Sequence, residues 1–585
     1  MIIIIAAHIP IFTLQRHEGR IFSPMAWTVT SALVGSLILS LTLVPLLTYL
    51  LIRKDIAHED NRLVARLKKW YEPKLRWAVE RPRRVVGVAV AALALSLLAG
   101  TQLGSEFLPE LNEGSIWVNV FLPPSVSPAE AQEQARLIRQ KLRGVPEVRT
   151  AISKVGRPDD GTDPKIFNAM EIYVELAPES EWRSGKKKED LIREMDEAVS
   201  TLPGVEPSFS QPIRDNVLES ISQIDGQIVI KVRGDDLDRL TANATRILAR
   251  IQNVPGVTRA FIDRAGSLPQ YVLDIDRAAA ARYGINIGDV QDLIETAVAG
   301  KATSELWEGE KHFSVVVRLK DTERALPNLP NLLIASPSGA QVPLSQLARF
   351  KSVSGAMNIA RENGRRVVSI GVFIRDRDMG SVVKDMKVRV AALGELGEGD
   401  EVSWSGEFEN QERAMKRLSW IVPLSILLIF ILLFDAFQSV KCATLIIANI
   451  PFALIGGILA LLILDIPLSV SAAIGFIALF GQAVLNGVVM VTYFNQLRES
   501  GMPIEQVVIQ GSIVRMRTVL MTALLAMFGL LPMALSHAIG AETQRPLAVV
   551  VIGGLVSATL LTMFVLPTLY RAFFAREPLA SAGAT

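Results

Sequence analysis

The chain has 585 residues, of which 50% are hydrophobic and 21% charged, with 61 Lys+Arg against 59 Asp+Glu. That length exceeds one ordinary domain, and the mixture calls for apolar blocks separated by a water-facing one. A net charge of +2 without a concentrated basic face argues against a nucleic-acid partner, and a single cysteine, Cys442, excludes an internal disulfide and any cysteine-based metal motif.

The N-terminal run 1–12 is apolar but too short to span. It lacks the basic flank and cleavage site of a signal peptide and reads as the end of a span. Crossing the hydrocarbon takes about 20 apolar residues at 1.5 Å each. Segments 27–52 and 85–103 suffice, and between them 53–84 carries 11 Lys/Arg, which places that loop in the cytoplasm. Residues 104–417 then fall in the periplasm. There 117–122, 148–153 and 171–176 read as strands, and 128–142 as a helix with Ala131, Ala135, Ile138 and Leu142 on one face. A second unit follows, with strands at 228–233, 257–262 and 271–275 and a helix at 237–251. The strings RQKLRGVPEVRTA and LARIQNVPGVTRA close the helices of the two units in the same pattern, which predicts two related split βαβ, ferredoxin-like sandwiches. Residues 278–360, with a helix at 287–297, interrupt the second unit as an insertion.

Five further spans follow at 420–437, 443–464, 469–494, 519–535 and 547–570. Basic residues Lys441, Arg498, Arg515, Arg517, Arg571 and Arg576 fall on the cytoplasmic side. Segment 503–517 has apolar residues at helical spacing. It is either an amphipathic helix lying in the interface or a soluble helix packed beneath the bundle. The predicted fold class is an α-helical multi-pass membrane bundle plus an α+β periplasmic domain. Its parts are 1–103, 104–220, 221–277 with 361–417, 278–360, 418–572 and a cytoplasmic tail 573–585.

GSEFLPELNEGSIWV (104–118), QPIRDNVLESISQIDGQIVIKVRGDD (211–236), SVSAAIGFIALFGQAVLNGVVMVTYFNQL (469–497), RMRTVLMTALLAMFGLLPMAL (515–535) and GGLVSATLLTMFVLPTLY (553–570) occur in order around this topology. Together they resemble the carboxyl-terminal half of a heavy-metal-efflux pump of the resistance–nodulation–division (RND) family. The resemblance implies a proton-driven inner-membrane exporter. It would be a homotrimer once an N-terminal half is supplied, working with a periplasmic adaptor and an outer-membrane channel. Segment 278–360 would be half of the docking crown, and the two sandwiches would enclose the substrate cleft. The family's proton-carrying Asp lies on a fourth span that has no counterpart here.

Two further departures concern sites. Where the copper/silver type carries a membrane Glu and a partner Lys, this chain has Leu485, followed by Asn486, and Val519. Asn486 could hydrogen-bond a proton-carrying Asp, or simply join two helices. Two cleft methionines of that type align with Leu122 and Glu219; the stretch 265–270, near a third, has no Met. Carboxylates suit harder divalent ions than thioethers do. Glu219 and neighbouring Asp215 are therefore the candidate ligands of a transported Zn, Co, Cd or Ni ion, with ordinary surface acids the alternative.

Glu106, Glu110 and Glu113 could draw cations toward the cleft or be a solvated segment. His8, His17, His58, His312 and His537 never pair at i, i+4 and read as lone residues. No nucleophile–base constellation or phosphate loop occurs, so the chain is read as a transporter, not an enzyme, with no cofactor and the metal ion as substrate. A copper/silver exporter half, a non-transporting half needing a separately encoded partner, and a membrane-tethered binding module remain open. With no titratable group at mid-depth in a span, the chain alone is expected not to pump.

Overall fold

The computed structural model describes residues 2–51, 61–109, 112–157, 165–222, 224–263, 266–375, 377–394, 396–536, 538 and 540–575. Helix α1 (Ile2–His8) continues into a 3-10 turn, Ile9–Thr13. It is short but well packed: Ile4 and Ala7 are buried, and Ala7 Cβ lies against Gly481. Helix α2 (Arg16–Leu51) starts well before position 27. At 1.5 Å per residue it is about 54 Å long, more than the hydrocarbon needs. Helix α3 (Arg62–Glu80) occupies the basic loop, where no element is expected from the apolar runs alone. Its Tyr71, Leu75, Ala78 and Val79 are buried, so it is an amphipathic helix packed under the bundle. Helix α4 (Pro82–Gly100) follows at once.

The first sandwich consists of β1 (Ser115–Phe121), α5 (Pro128–Leu142), β2 (Val148–Val155), β3 (Ala169–Leu176), α6 (Lys188–Val199) and β4 (Glu206–Ser210). The antiparallel sheet has the order β2-β3-β1-β4. Ile116, Val118 and Val120 of β1 pack on Ala131, Ala135, Ile138 and Leu142 of α5. Ser127 starts that helix by accepting the Glu130 N–H at 3.2 Å, with Pro128 in its first turn. A linking helix, α7 (Pro212–Ser222), leads to the second sandwich.

That unit begins with β5 (Ile228–Gly234), α8 (Leu237–Ile251) and β6 (Val257–Ile262). The projecting segment comes next: β7 (Ser267–Ile275), α9 (Arg277–Arg282), α10 (Ile287–Ile294), β8 (Lys301–Glu308), β9 (Lys311–Val317), β10 (Leu333–Ala335), β11 (Gln341–Pro343) and β12 (Ala348–Ala356). The unit resumes with β13 (Arg361–Glu362), β14 (Arg365–Ile374), α11 (Met379–Ala391) and β15 (Glu401–Gly406). Its sheet runs β6-β14-β5-β15, matching the first sandwich strand for strand, with β13 a short hairpin on β14. Alternation assigns 271–275 to this sheet, but the structure pairs β7 along its whole length with β12 instead. Tyr271, Leu273 and Ile275 present the same period-two pattern to either partner, so the pattern cannot choose between them.

Helix α12 (Glu407–Phe437) leaves β15 without a loop and descends into the bundle. Helices α13 (Val440–Ile447) and α14 (Asn449–Ile463) break one apolar run near Pro451, which cannot donate the N–H that would continue the helix. Helix α15 (Val470–Glu499) is the most buried candidate span, and α17 (Arg545–Phe574) closes the bundle. Between them, 503–517 is not a separate element: α16 (Ile504–Leu535) is continuous through it. Its Val507, Val508, Gly511 and Ser512 are buried, so its apolar face meets protein and not the membrane interface. By length and composition seven described helices can cross a membrane. The fold is thus a multi-pass helical bundle joined to an α+β block.

Glycine packing within the spans is selective. A Cβ at Gly456 would lie 1.9 Å from the Gly553 carbonyl oxygen, where α14 and α17 touch backbone to backbone. Gly87 of α4, by contrast, has nothing within 4 Å.

Candidate metal cleft

A cavity of about 300 Å³ opens between the two sandwiches. Leu122 and Glu219 both line it, together with Lys165, Asp225, Arg259 and Met357. Asp215 and Glu219 stand one turn apart on α7, so both side chains project to one side of that helix.

The placement of α7 is built from the segment before β1. Glu113 accepts the backbone N–H of Ile213 at 2.6 Å and of Arg214 at 2.9 Å. A carboxylate there satisfies open amides at the helix N-terminus and complements its dipole. Gln211 Oε1 accepts the Glu113 N–H at 2.9 Å and Lys188 Nζ at 2.6 Å. Glu113 is therefore a cap that positions the candidate ligands, not a solvated acid; Glu110 lies outside the described residues.

Asp215 is buried and accepts Asn119 Nδ2 from β1 at 2.8 Å. Burial, and secondarily the charge of Asp225, raise its carboxyl to about 7, with the Asn119 hydrogen bond working the other way. Asp225 is raised to about 6, again chiefly by burial, with Lys165 opposing. Glu219 is partly exposed and pairs with Lys165 Nζ at 3.0 Å. Lys165 also contacts Glu171, whose other oxygen meets Lys154 Nζ at 2.5 Å. Arg259 closes one wall, stacked on Phe261 at 4.6 Å and 3.6 Å from Glu206. Among the described residues no three potential ligand groups converge closely enough to hold an ion.

Lys165, Glu171, Asp225 and Met357 are legible only in three dimensions. Met357 follows β12 in sequence, and its N–H meets the Gly266 carbonyl at 3.1 Å, which brings a thioether beside the 265–270 stretch that itself has none.

In the bundle, Asn486 is buried and its Oδ1 accepts Thr522 Oγ1 of α16 at 3.0 Å. Val519 lies buried one turn earlier. Glu18, at the head of α2, is a buried carboxylate that a span starting at 27 overlooks. Arg413 approaches it to 4.0 Å, while Glu18 Oε2 has no hydrogen-bond partner among the described residues. Of the histidines, His8 bonds the Ile4 carbonyl at 2.8 Å and His312 lies beside Trp307; His58, His537 and the His17 side chain fall outside the described residues.

Comparison with known proteins places this geometry. The AcrB/AcrD/AcrF family profile matches residues 1–574. The chain is 39% identical over 578 residues to the cation efflux system protein CzcA of Alcaligenes sp. (strain CT14), covering 97% of this chain and 54% of that protein. It is 38% identical to the nickel and cobalt resistance protein CnrA of Cupriavidus metallidurans, over 97% and 53% of the two chains. With the cation efflux system protein CusA of Escherichia coli (strain K12) it shares 34% identity, over 98% and 56%. A crystal structure of a heavy metal efflux pump superposes with a TM-score of 0.86 at 39% identity, covering 98% of this chain and 58% of that one. The chain spans about half the length of these relatives, and it belongs to the AcrB/AcrD/AcrF family, where it is similar to members of the heavy-metal-efflux branch.

Proposed function

We propose that the chain is the cleft-bearing part of a proton-driven inner-membrane exporter of divalent metal ions, with 104–417 in the periplasm. The observation that carries this is the pair of carboxylates lining the cavity, Glu219 of the capped helix α7 and Asp225, with Asp215 buried one turn before Glu219 on the same side of that helix. Oxygen donors of this kind favour Zn²⁺, Co²⁺, Cd²⁺ or Ni²⁺ over Cu(I). The name of the Cupriavidus relative, a nickel and cobalt resistance protein, points the same way. Export would proceed as a trimer, through a periplasmic adaptor and an outer-membrane channel, with 278–360 contributing half of the docking crown. In the bundle, Asn486 and Thr522 hold the position to which a proton-carrying carboxylate would couple. A copper/silver reading rests on one observation, the Met357 thioether in the cleft lining.

The test is calorimetric. Purified chain is titrated with Zn²⁺, Co²⁺ and Ag⁺. Asp215→Asn with Glu219→Gln should weaken Zn²⁺ and Co²⁺ binding by about tenfold or more, at least the loss that removing an outer-shell partner of a metal brings, and leave Ag⁺ unaffected. A Met357→Leu variant that loses Ag⁺ binding while keeping Zn²⁺ and Co²⁺ would favour the copper/silver reading, and no change for any ion in the carboxylate variant would remove the cleft from the mechanism.

The topology has its own check. An alkaline phosphatase fused within α8 should be active and one fused at Lys69 silent, because the basic loop keeps its side. The reverse pattern would invert the assignment.

A further inference from the structure

We propose that Lys165 is a built-in counter-cation of the cleft, whose ammonium sits where the transported divalent ion binds and must be displaced by it. This rests on the cleft being the ion site. Lys165 stands in the connection before β3, with its side chain only 13% exposed, and it bridges Glu171 of the first sandwich and Glu219 of the linking helix. Asp215 and Asp225 also feel its charge. Two carboxylates thus contact one ammonium and two more feel its charge, and Glu171 is met by Lys154 as well.

A further observation fits a stand-in. Asp225 lines the cavity at 7% exposure, and the Lys165 charge opposes the effect of its burial. A carboxylate buried in this way is costly unless a cation faces it, and a dication entering beside it would face it with twice the charge of one ammonium. Lysine suits the role. Its four-carbon stem lets the charge withdraw without backbone movement, and as a compact monovalent charge it is outcompeted by a dication. Such a tethered competitor keeps the empty cleft neutralised and weakens ion retention, which favours release.

The test uses the full chain, titrated with Zn²⁺ and Co²⁺. Lys165→Gln should tighten binding roughly five- to a hundredfold, the usual span of coupling between two sites, while Lys165→Arg, which keeps the charge, should stay within a few-fold of the wild type. A second readout needs no variant: acetylation of Lys165 by acetic anhydride, quantified by peptide mass spectrometry, should rise when Zn²⁺ is added. Unchanged or weaker binding in Lys165→Gln, or acetylation that falls or stays constant with Zn²⁺, would overturn the proposal. Binding that ignores Asp215→Asn and Glu219→Gln would instead overturn the reading of the cleft, and the proposal with it.

Discussion

Gly456→Val is expected to leave no folded protein in the membrane. The added Cβ would lie 1.9 Å from the Gly553 oxygen and 2.7 Å from Ser557 Oγ. Overpacking usually costs about 1–3 kcal/mol because side chains can shift; here the obstacle is backbone, which cannot rotate away. The reciprocal site is also tight, since a Cβ on Gly553 would meet Ala460 Cβ and the Gly456 oxygen, each at 2.5 Å. Separating α14 from α17 would also break the contact in which the Gly456 N–H donates to Ser557 Oγ at 3.0 Å. Small residues let membrane helices approach closely enough for dispersion and such hydrogen bonds to hold them, where no hydrophobic effect does. The measurement is the yield of monodisperse protein by fluorescence-detected size exclusion. Gly87→Val is the paired control, with open space around it and wild-type yield expected. Equal yields for the two would refute the close helix contact.

Asp215→Asn is expected to change metal affinity and thermal stability in opposite directions, each with a defined pH dependence. The folded carboxyl, raised to about 7 from an ordinary 3.8, holds a proton that the unfolded chain has already released. Its contribution to stability is fully present below about pH 4 and is lost as pH climbs through about 7. The variant removes that loss and keeps an oxygen for Asn119, so its melting temperature should exceed the wild type's at pH 8, with a smaller gain at pH 5. Metal binding has the opposite requirement, because the ion must displace protons. With Asp215 near 7 and Asp225 near 6, Zn²⁺ affinity in the wild type should fall on the order of a thousandfold from pH 8 to pH 5, and about tenfold in the variant. Parallel slopes for the two proteins would show that Asp215 does not exchange its proton for the ion.

The spans and the twin sandwiches are legible because each rests on a strong periodic pattern. Uninterrupted apolar runs mark α12 to α17, and the Val-Pro closure repeats after α5 and α8. What eludes the sequence is partnership. The alternation in β7 does not say that β12, and not the main sheet, receives it. Apolar spacing in 503–517 does not say whether lipid or protein meets it, and the same gap hides α3. At the cleft, alignment with a methionine of the copper/silver type points to Glu219, which lines the cavity, and to its neighbour Asp215, which is buried one turn away. It does not point to Lys165 or Asp225, because neither stands in a local motif and their meaning comes from a neighbour on another element. Glu113 is the sharpest case: an acid among acids in the sequence, it proves to be a cap tied to residues a hundred positions on.

The two sandwiches differ at one joint, between their second and third strands. In the first this joint is the connection from β2 to β3, which ends at the segment bearing Lys165; in the second it runs from β6 to β14 and contains everything between β7 and β12. Strands paired antiparallel keep their ends together however much chain lies between, and closing a longer excursion adds only a logarithmic entropy cost. The joint thus works as a grafting point. One copy of the unit has used it to place a charge over a cavity, the other to send out an arm on a two-stranded neck, and neither addition altered the strand order beneath. What the arm touches and what the cavity accepts can therefore diverge independently across related chains.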